Sequence, residues 1–123
     1  MGYKVSDGRA VDVVAPGATA IVDGELYRIS GWNGCAVGSK DTTQLDRNFA
    51  MEASAEFIHC IKLPAITPAV GDVLYWATSA RATFQKGDTH LQATPATAGD
   101  PPACKVLRAK DANGYAYVRV INL

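Results

Sequence analysis

The chain has 123 residues, 48% of them hydrophobic and 20% charged, with twelve Lys plus Arg against twelve Asp plus Glu. That length suits one domain burying roughly two-thirds of its unfolded surface, and the composition excludes wholesale disorder. A formal net charge of zero leaves no basic surplus to release counterions from nucleic acid or to seek an anionic membrane, so the sequence predicts neither partner.

Residues Met1 to Ala10 read as a candidate N-terminal arm ahead of a single β domain over 11–123. No apolar stretch follows Lys4, which predicts no secretory signal, and no run is long enough to span a bilayer. Within the arm, Tyr3, Lys4 and Val5 are candidate interface residues, suited to adding a strand to a partner's sheet edge.

Val11 to Val14 is the first candidate strand, closed by Ala15-Pro16-Gly17. Ala20-Ile21-Val22 and Glu25 to Ile29 flank Asp23-Gly24 at hairpin spacing. Asp7-Gly8, Asp23-Gly24, Asn33-Gly34 and Asn113-Gly114 all suit positive φ and tight turns. Ser30-Gly31 interrupts, and Trp32 to Val37 forms the next candidate strand. Gly38 to Asn48 is polar and reads as a loop or one short helical turn. Phe49 to Ala53 alternates again.

The strongest alternation runs from Glu56 to Leu63. Phe57, His59, Ile61 and Leu63 face one way, and Ile58, Cys60 and Lys62 the other. Pro64 and Pro68 end it, because proline cannot donate to a ladder. Gly71-Asp72 turns into Val73 to Trp76, and Arg81 to Phe84 is a weaker strand. Lys86 to Pro102 carries three prolines and reads as a long exposed loop, of the kind that binds something; His90 within it is a candidate interface residue. Ala103 to Ala109 and Tyr115 to Ile121 make a terminal hairpin around Asn113-Gly114. The pattern predicts an all-β protein of about eight to ten strands. Its form is a small antiparallel β-barrel or jelly-roll-like sandwich with short hairpins and one long Pro-rich loop.

The chemistry-bearing residues do not assemble into a known catalytic pattern. Gly34 to Thr42 approaches a phosphate-binding loop, but its glycine spacing is one residue short and Ser39 separates Gly38 from Lys40. Cys35, Cys60 and Cys104 are odd in number and widely spaced, so they read as reduced, buried thiols. His59 and Cys60 are neighbours on a strand and point to opposite faces, which keeps them from sharing a metal. His59 reads as a satisfied core or interface histidine. Tyr115, Tyr117 and Arg119 form a short aromatic and basic stripe, as do Tyr27 and Arg28, explained by cross-strand ring packing. Trp32 and Trp76 read as core or interface anchors, with Trp32 the candidate for an interface. No catalytic residue, cofactor or metal is predicted.

The order of motifs resembles a family of short tailed-phage and prophage proteins, encoded near the major capsid gene and often labelled RecA-like recombinases. The likeness starts with Gly8-Arg9-Ala10-Val11-Asp12-Val13-Val14-Ala15-Pro16. It runs on through Ile21-Val22-Asp23-Gly24, Ile29-Ser30-Gly31 and Gly34-Cys35-Ala36-Val37. Glu56-Phe57 to Leu63-Pro64 is similar to the family's central strand, Gly71-Asp72-Val73-Leu74-Tyr75-Trp76 to its most recognisable stretch, and Ala116-Tyr117-Val118-Arg119-Val120 to its closing strand. Ala55-Glu56 replaces the usual glycine before the central aromatic, and the loop from Lys86 to Pro102 is enlarged. The resemblance implies a capsid decoration, or cement, protein on the outer surface of the virion. Its implied partners are the major capsid protein and further copies of itself, as homodimer or homotrimer. A tail or baseplate structural protein is the alternative, and a nucleotide-handling accessory protein using Lys40 a more distant one.

Overall fold

The structure is a computed structural model that describes residues 10–14, 20–39, 41, 48–77, 84–94 and 100–122. Tyr3, Lys4 and Val5, the Asp7-Gly8 pair, Lys40 and residues 78–83 lie outside the described residues. Among the described residues the fold is almost wholly β, with two five-stranded antiparallel sheets, one of them curled into a half-barrel.

The strands are β1 (Ala10–Val14), β2 (Leu26–Ile29), β3 (Trp32–Val37), β4 (Asn48–Glu52), β5 (His59–Lys62), β6 (Val73–Trp76), β7 (Phe84–Lys86), β8 (Leu91–Gln92), β9 (Pro102–Arg108) and β10 (Tyr115–Val120). A single helical turn, α1 (Gly87–His90), joins β7 to β8. The first sheet has the order β1-β4-β3-β2-β7 and the second β5-β10-β9-β6-β8.

Alternation decides which side chains meet. In β2, Leu26 joins the core between the sheets, while its neighbour Tyr27 enters a second cluster on the opposite face of the first sheet. The intersheet core takes Leu26 and Cys35 from the first sheet and Ile61, Leu74, Trp76, Cys104, Val106 and Val118 among others from the second. In β10, Ala116, Val118 and Val120 point inward while Tyr115, Tyr117 and Arg119 stay exposed. The second cluster gathers Val13, Ile21, Tyr27, Ile29, Ala36 and Met51, with Phe84 against Tyr27 at a ring separation of 5.6 Å. Buried there, the Tyr27 hydroxyl accepts the Val22 N–H at 2.8 Å, and burial raises its pKa above the usual phenol value.

Asn33 joins the two sheets. Its carboxamide donates to the carbonyls of Pro102 at 3.0 Å and Ile121 at 2.8 Å. Its oxygen accepts the Trp76 indole N–H at 2.9 Å and an Arg28 N–H at 3.2 Å. Both donors and both lone pairs of the amide are thereby used. The Asn33 backbone N–H donates to Asn122 Oδ1, and Asn122 Nδ2 donates back to the Asn33 carbonyl. The Asn122 carboxamide thus replaces a peptide group beside β3, where the pairing with β4 has ended at Cys35 opposite Glu52.

Several sequence expectations change. Asn33-Gly34 lies inside β3, and the turn belongs to Ser30-Gly31, whose φ values of 52° and 84° suit a primed hairpin joining β2 to β3. Residues 20–22 form no strand with β2; Ile21 makes an isolated bridge, and β2 pairs with β3 and β7 instead. The strand expected over Glu56 to Leu63 shortens to β5, because residues 55–57 turn. The long loop from Lys86 is partly ordered into α1 and β8, which extends the second sheet beyond β6. Tyr27 is fully buried, so no exposed Tyr27–Arg28 stripe exists.

Gly34 shows why β3 tolerates no side chain at its centre. A Cβ there would sit 2.8 Å from the Met51 Cβ and 2.9 Å from the Glu52 carbonyl oxygen. Overpacking a strand pair in this way costs about 1–3 kcal/mol. Gly34→Ala therefore lowers the urea midpoint of unfolding by that equivalent; an unchanged midpoint would show that β3 and β4 are not this close.

Candidate interaction surfaces

The reactive side chains of the described residues are largely committed to the interior. Cys35 and Cys104 are buried, and desolvation pushes the Cys104 thiol up to about 12. Burial raises the Cys35 thiol too, helped by the neighbouring Cys104, Glu25 and Glu52. Neither supplies a thiolate nucleophile near neutral pH. Cys60 departs from the expectation of three buried thiols: it faces outward on β5 and is exposed. Among the described residues no three His, Cys, Asp or Glu groups converge to hold a metal ion. No helix is long and apolar enough to cross a membrane among them.

His59 is half-buried on the inner side of β5, but it is not the satisfied histidine expected: its Nε2 is buried without a hydrogen-bond partner. Glu52 of the first sheet has a buried carboxylate oxygen in the same condition and acts on His59 through charge alone. Desolvation lowers the imidazole pKa below 6.5, and Glu52 opposes this only in part.

The first four residues of the candidate phosphate loop are not a loop, and Lys40 and Thr42 lie outside the described residues. Gly34 to Val37 is strand, packed at Gly34 against Met51, so its amides serve β-pairing rather than an anion. Concavities among the described residues include two of note. One of about 140 Å³ lies over the Asn33 cluster between Arg28, Gly31, Pro101 and Asn122, smaller than ordinary ligand pockets. The other, an open groove of about 430 Å³, lies beside Asp72, Val73, Tyr75 and Thr94 at the β6–β8 edge.

The exposed faces are chemically distinct. On the first sheet, Val14 and Val37 are 48% and 51% exposed, and Trp32 is 47% exposed at the start of β3. Trp32 thus has the exposure an interface anchor needs, whereas Trp76 is fully buried. His90 ends α1, and its Nδ1 accepts the Lys86 N–H at 2.9 Å beside a 3.4 Å Lys86–Asp88 ion pair. That bond gives His90 a local structural task, and Trp32 and His90 are not drawn into one cluster by any observed contact.

The sequence reading found only half of the outer face of the second sheet. Register sets Tyr115 beside Lys62 and Tyr117 beside Arg108. Lys62 Nζ lies 5.3 Å from the Tyr115 ring centre and the Arg108 guanidinium 5.1 Å from that of Tyr117. Arg119 sits directly across from Lys105. The exposed Tyr115, Tyr117 and Arg119 were the available signal. Their partners on β9 were hidden by a bulge between Tyr117 and Val118, which shifts the register.

A histidine whose folded pKa is lowered binds its proton less readily than the unfolded chain does. Its contribution to stability is therefore complete above 6.5 and is lost as pH falls through the lower folded value. Chemical denaturation between pH 7.5 and about 5 is expected to show wild-type stability falling with pH, and His59→Gln removing much of that slope. Identical slopes would show that His59 titrates alike in both states.

No protein-family model matches the chain, and no curated protein or solved structure is significantly similar to it.

Proposed function

We propose that the chain is a phage head decoration, or cement, protein that binds the outer surface of a capsid and stabilises contacts between major capsid protein subunits. One observation carries the reading. Nearly all the reactive chemistry of the described residues is turned inward or spent on structure, while bulky apolar, aromatic and cationic groups are presented on broad sheet faces. Such a division suits a protein that works by contact. The order of sequence motifs from Gly8 to Val120 supports the same reading.

A cement protein acts through many modest contacts. Once one patch engages a shell subunit, engagement of the next is intramolecular, so avidity exceeds the strength of each contact. A dimer or trimer of this chain spans neighbouring shell subunits by its own symmetry. A stiff two-sheet body transmits load between those contacts and resists separation of the subunits beneath it. Trp32, with its ring half-exposed, is an aromatic anchor of the type that dominates protein contacts.

Purified protein is expected to co-sediment with expanded heads built from the major capsid protein of the same source, and to raise the temperature at which those heads rupture. Failure to bind any mature shell would contradict the proposal. Recovery in small copy number with purified tails would transfer the protein to the tail.

A further inference from the structure

We propose that the outer face of the second sheet, centred on the Lys105–Arg119 pair, docks against a carboxylate-rich protein surface. The inference deepens the cement reading and rests on it for the identity of that surface, the outside of the shell.

The first observation is a segregation of charge that the net charge conceals. The strands of the first sheet carry Asp12, Glu52, Arg28 and Lys86, a balanced set. The strands of the second carry Lys62, Lys105, Arg108 and Arg119 and no carboxylate at all. Of the acids in the flanking segments, Glu56 is exposed ahead of β5 and Asp111 lies within electrostatic reach of Arg108, while the others are hydrogen-bonded. Asp72 accepts the Ala69 N–H, Asp111 the N–H groups of Asn113 and Tyr115, and the buried Asp100 the Gln92 amide.

The second observation is a cost. Arg119 and Lys105 are directly opposed across β10 and β9, both exposed, with no ion pair to either among the described residues. Like charges at such a position destabilise a sheet. A neutral or acidic residue at either place would make the isolated protein more stable, so the pair is placed for something outside the chain. Desolvated cation–carboxylate contacts across an interface provide that compensation, together with specificity and a faster encounter.

The third observation selects between polyanions. Single strands of nucleic acid use open aromatic faces as stacking platforms. Here the rings of Tyr115 and Tyr117 carry the cations of Lys62 and Arg108 over their faces. What remains presented is a row of positive heads with phenol groups between them. That arrangement suits carboxylates spread over a protein surface, and tyrosine and arginine are the residues favoured at such contacts.

The test uses Arg119→Glu in the full chain, with Lys105→Glu as a second variant. Each turns the repulsive cross-strand pair into an attractive one. Both variants are expected to melt at a higher temperature than wild type yet to bind expanded heads about tenfold more weakly, and wild-type binding is expected to weaken as salt rises. Gain of stability with loss of binding is a result that misfolding cannot produce. Unaltered head binding by both variants, or wild-type binding indifferent to salt, would overturn the inference while leaving the cement reading intact. Should wild type bind no heads, the cement reading falls, and poly-L-glutamate becomes the probe of the face. Binding by wild type and loss in both variants would support it, and absence of binding would overturn it. Tighter binding of oligothymidylate than of poly-L-glutamate would also overturn it, in favour of nucleic acid.

Discussion

The fold depends on a fully saturated carboxamide. Asn33 is buried between the sheets with each of its four side-chain hydrogen-bonding positions occupied, and its partners come from separate parts of the chain: Arg28 on β2, Trp76 on β6, Pro102 on β9 and Ile121 after β10. A buried polar group left without a partner costs about 1–3 kcal/mol. Sliding one sheet over the other would orphan several such groups together. Apolar packing between Leu26, Cys35, Leu74 and Val106 tolerates small shifts more readily, since it has no directional requirement. The core supplies the drive to collapse, and Asn33 with Asn122 fixes which collapsed arrangement is adopted.

Fixing the sheets against each other determines what reaches the surface. With the inward residues of β5, β9 and β10 held in the core, alternation, corrected on β9 by the bulge opposite Tyr117 and Val118, turns Lys62, Lys105, Arg108 and Arg119 outward together with two tyrosines. The same rigidity keeps cations and rings at spacings they would not hold in a loose hairpin. Electrostatic cost is thereby stored at the surface while the interior remains nearly satisfied. The chief internal exception among the described residues is the seam at Glu52 and His59, where each side chain keeps a buried atom without a partner.

Much of the architecture was legible in the sequence. Alternation in Tyr115 to Ile121 and the Asn113-Gly114 turn marked the terminal hairpin, and Gly71-Asp72 marked the entry to β6, because those signals are local. Asn33-Gly34 misled for the opposite reason. As a dipeptide it favours a turn, yet its asparagine is held extended by partners 69 and 88 residues away in the chain, and its glycine by the close approach of Met51. Ser30-Gly31 provided the turn instead. For the exposed face, half of the pattern was readable in β10. The other half depended on strand order, which sets β10 between β5 and β9, and on a bulge that leaves no mark in composition. Net charge concealed the rest, since a total of zero is compatible with a sheet whose strands carry four cations and no acid.

The interlock at Asn33 can be tested through the two tryptophans. Trp32 is half-exposed, while the Trp76 indole N–H is fully buried and donated to Asn33. Indole hydrogen exchange followed by NMR in increasing urea reports on each separately. The account predicts that the Trp76 indole proton exchanges only through global unfolding, with a rate that rises with urea in step with the loss of overall stability. Exchange of Trp76 as fast as that of Trp32, or at a rate insensitive to urea, would mean that the sheets part locally and that Asn33 does not hold them together.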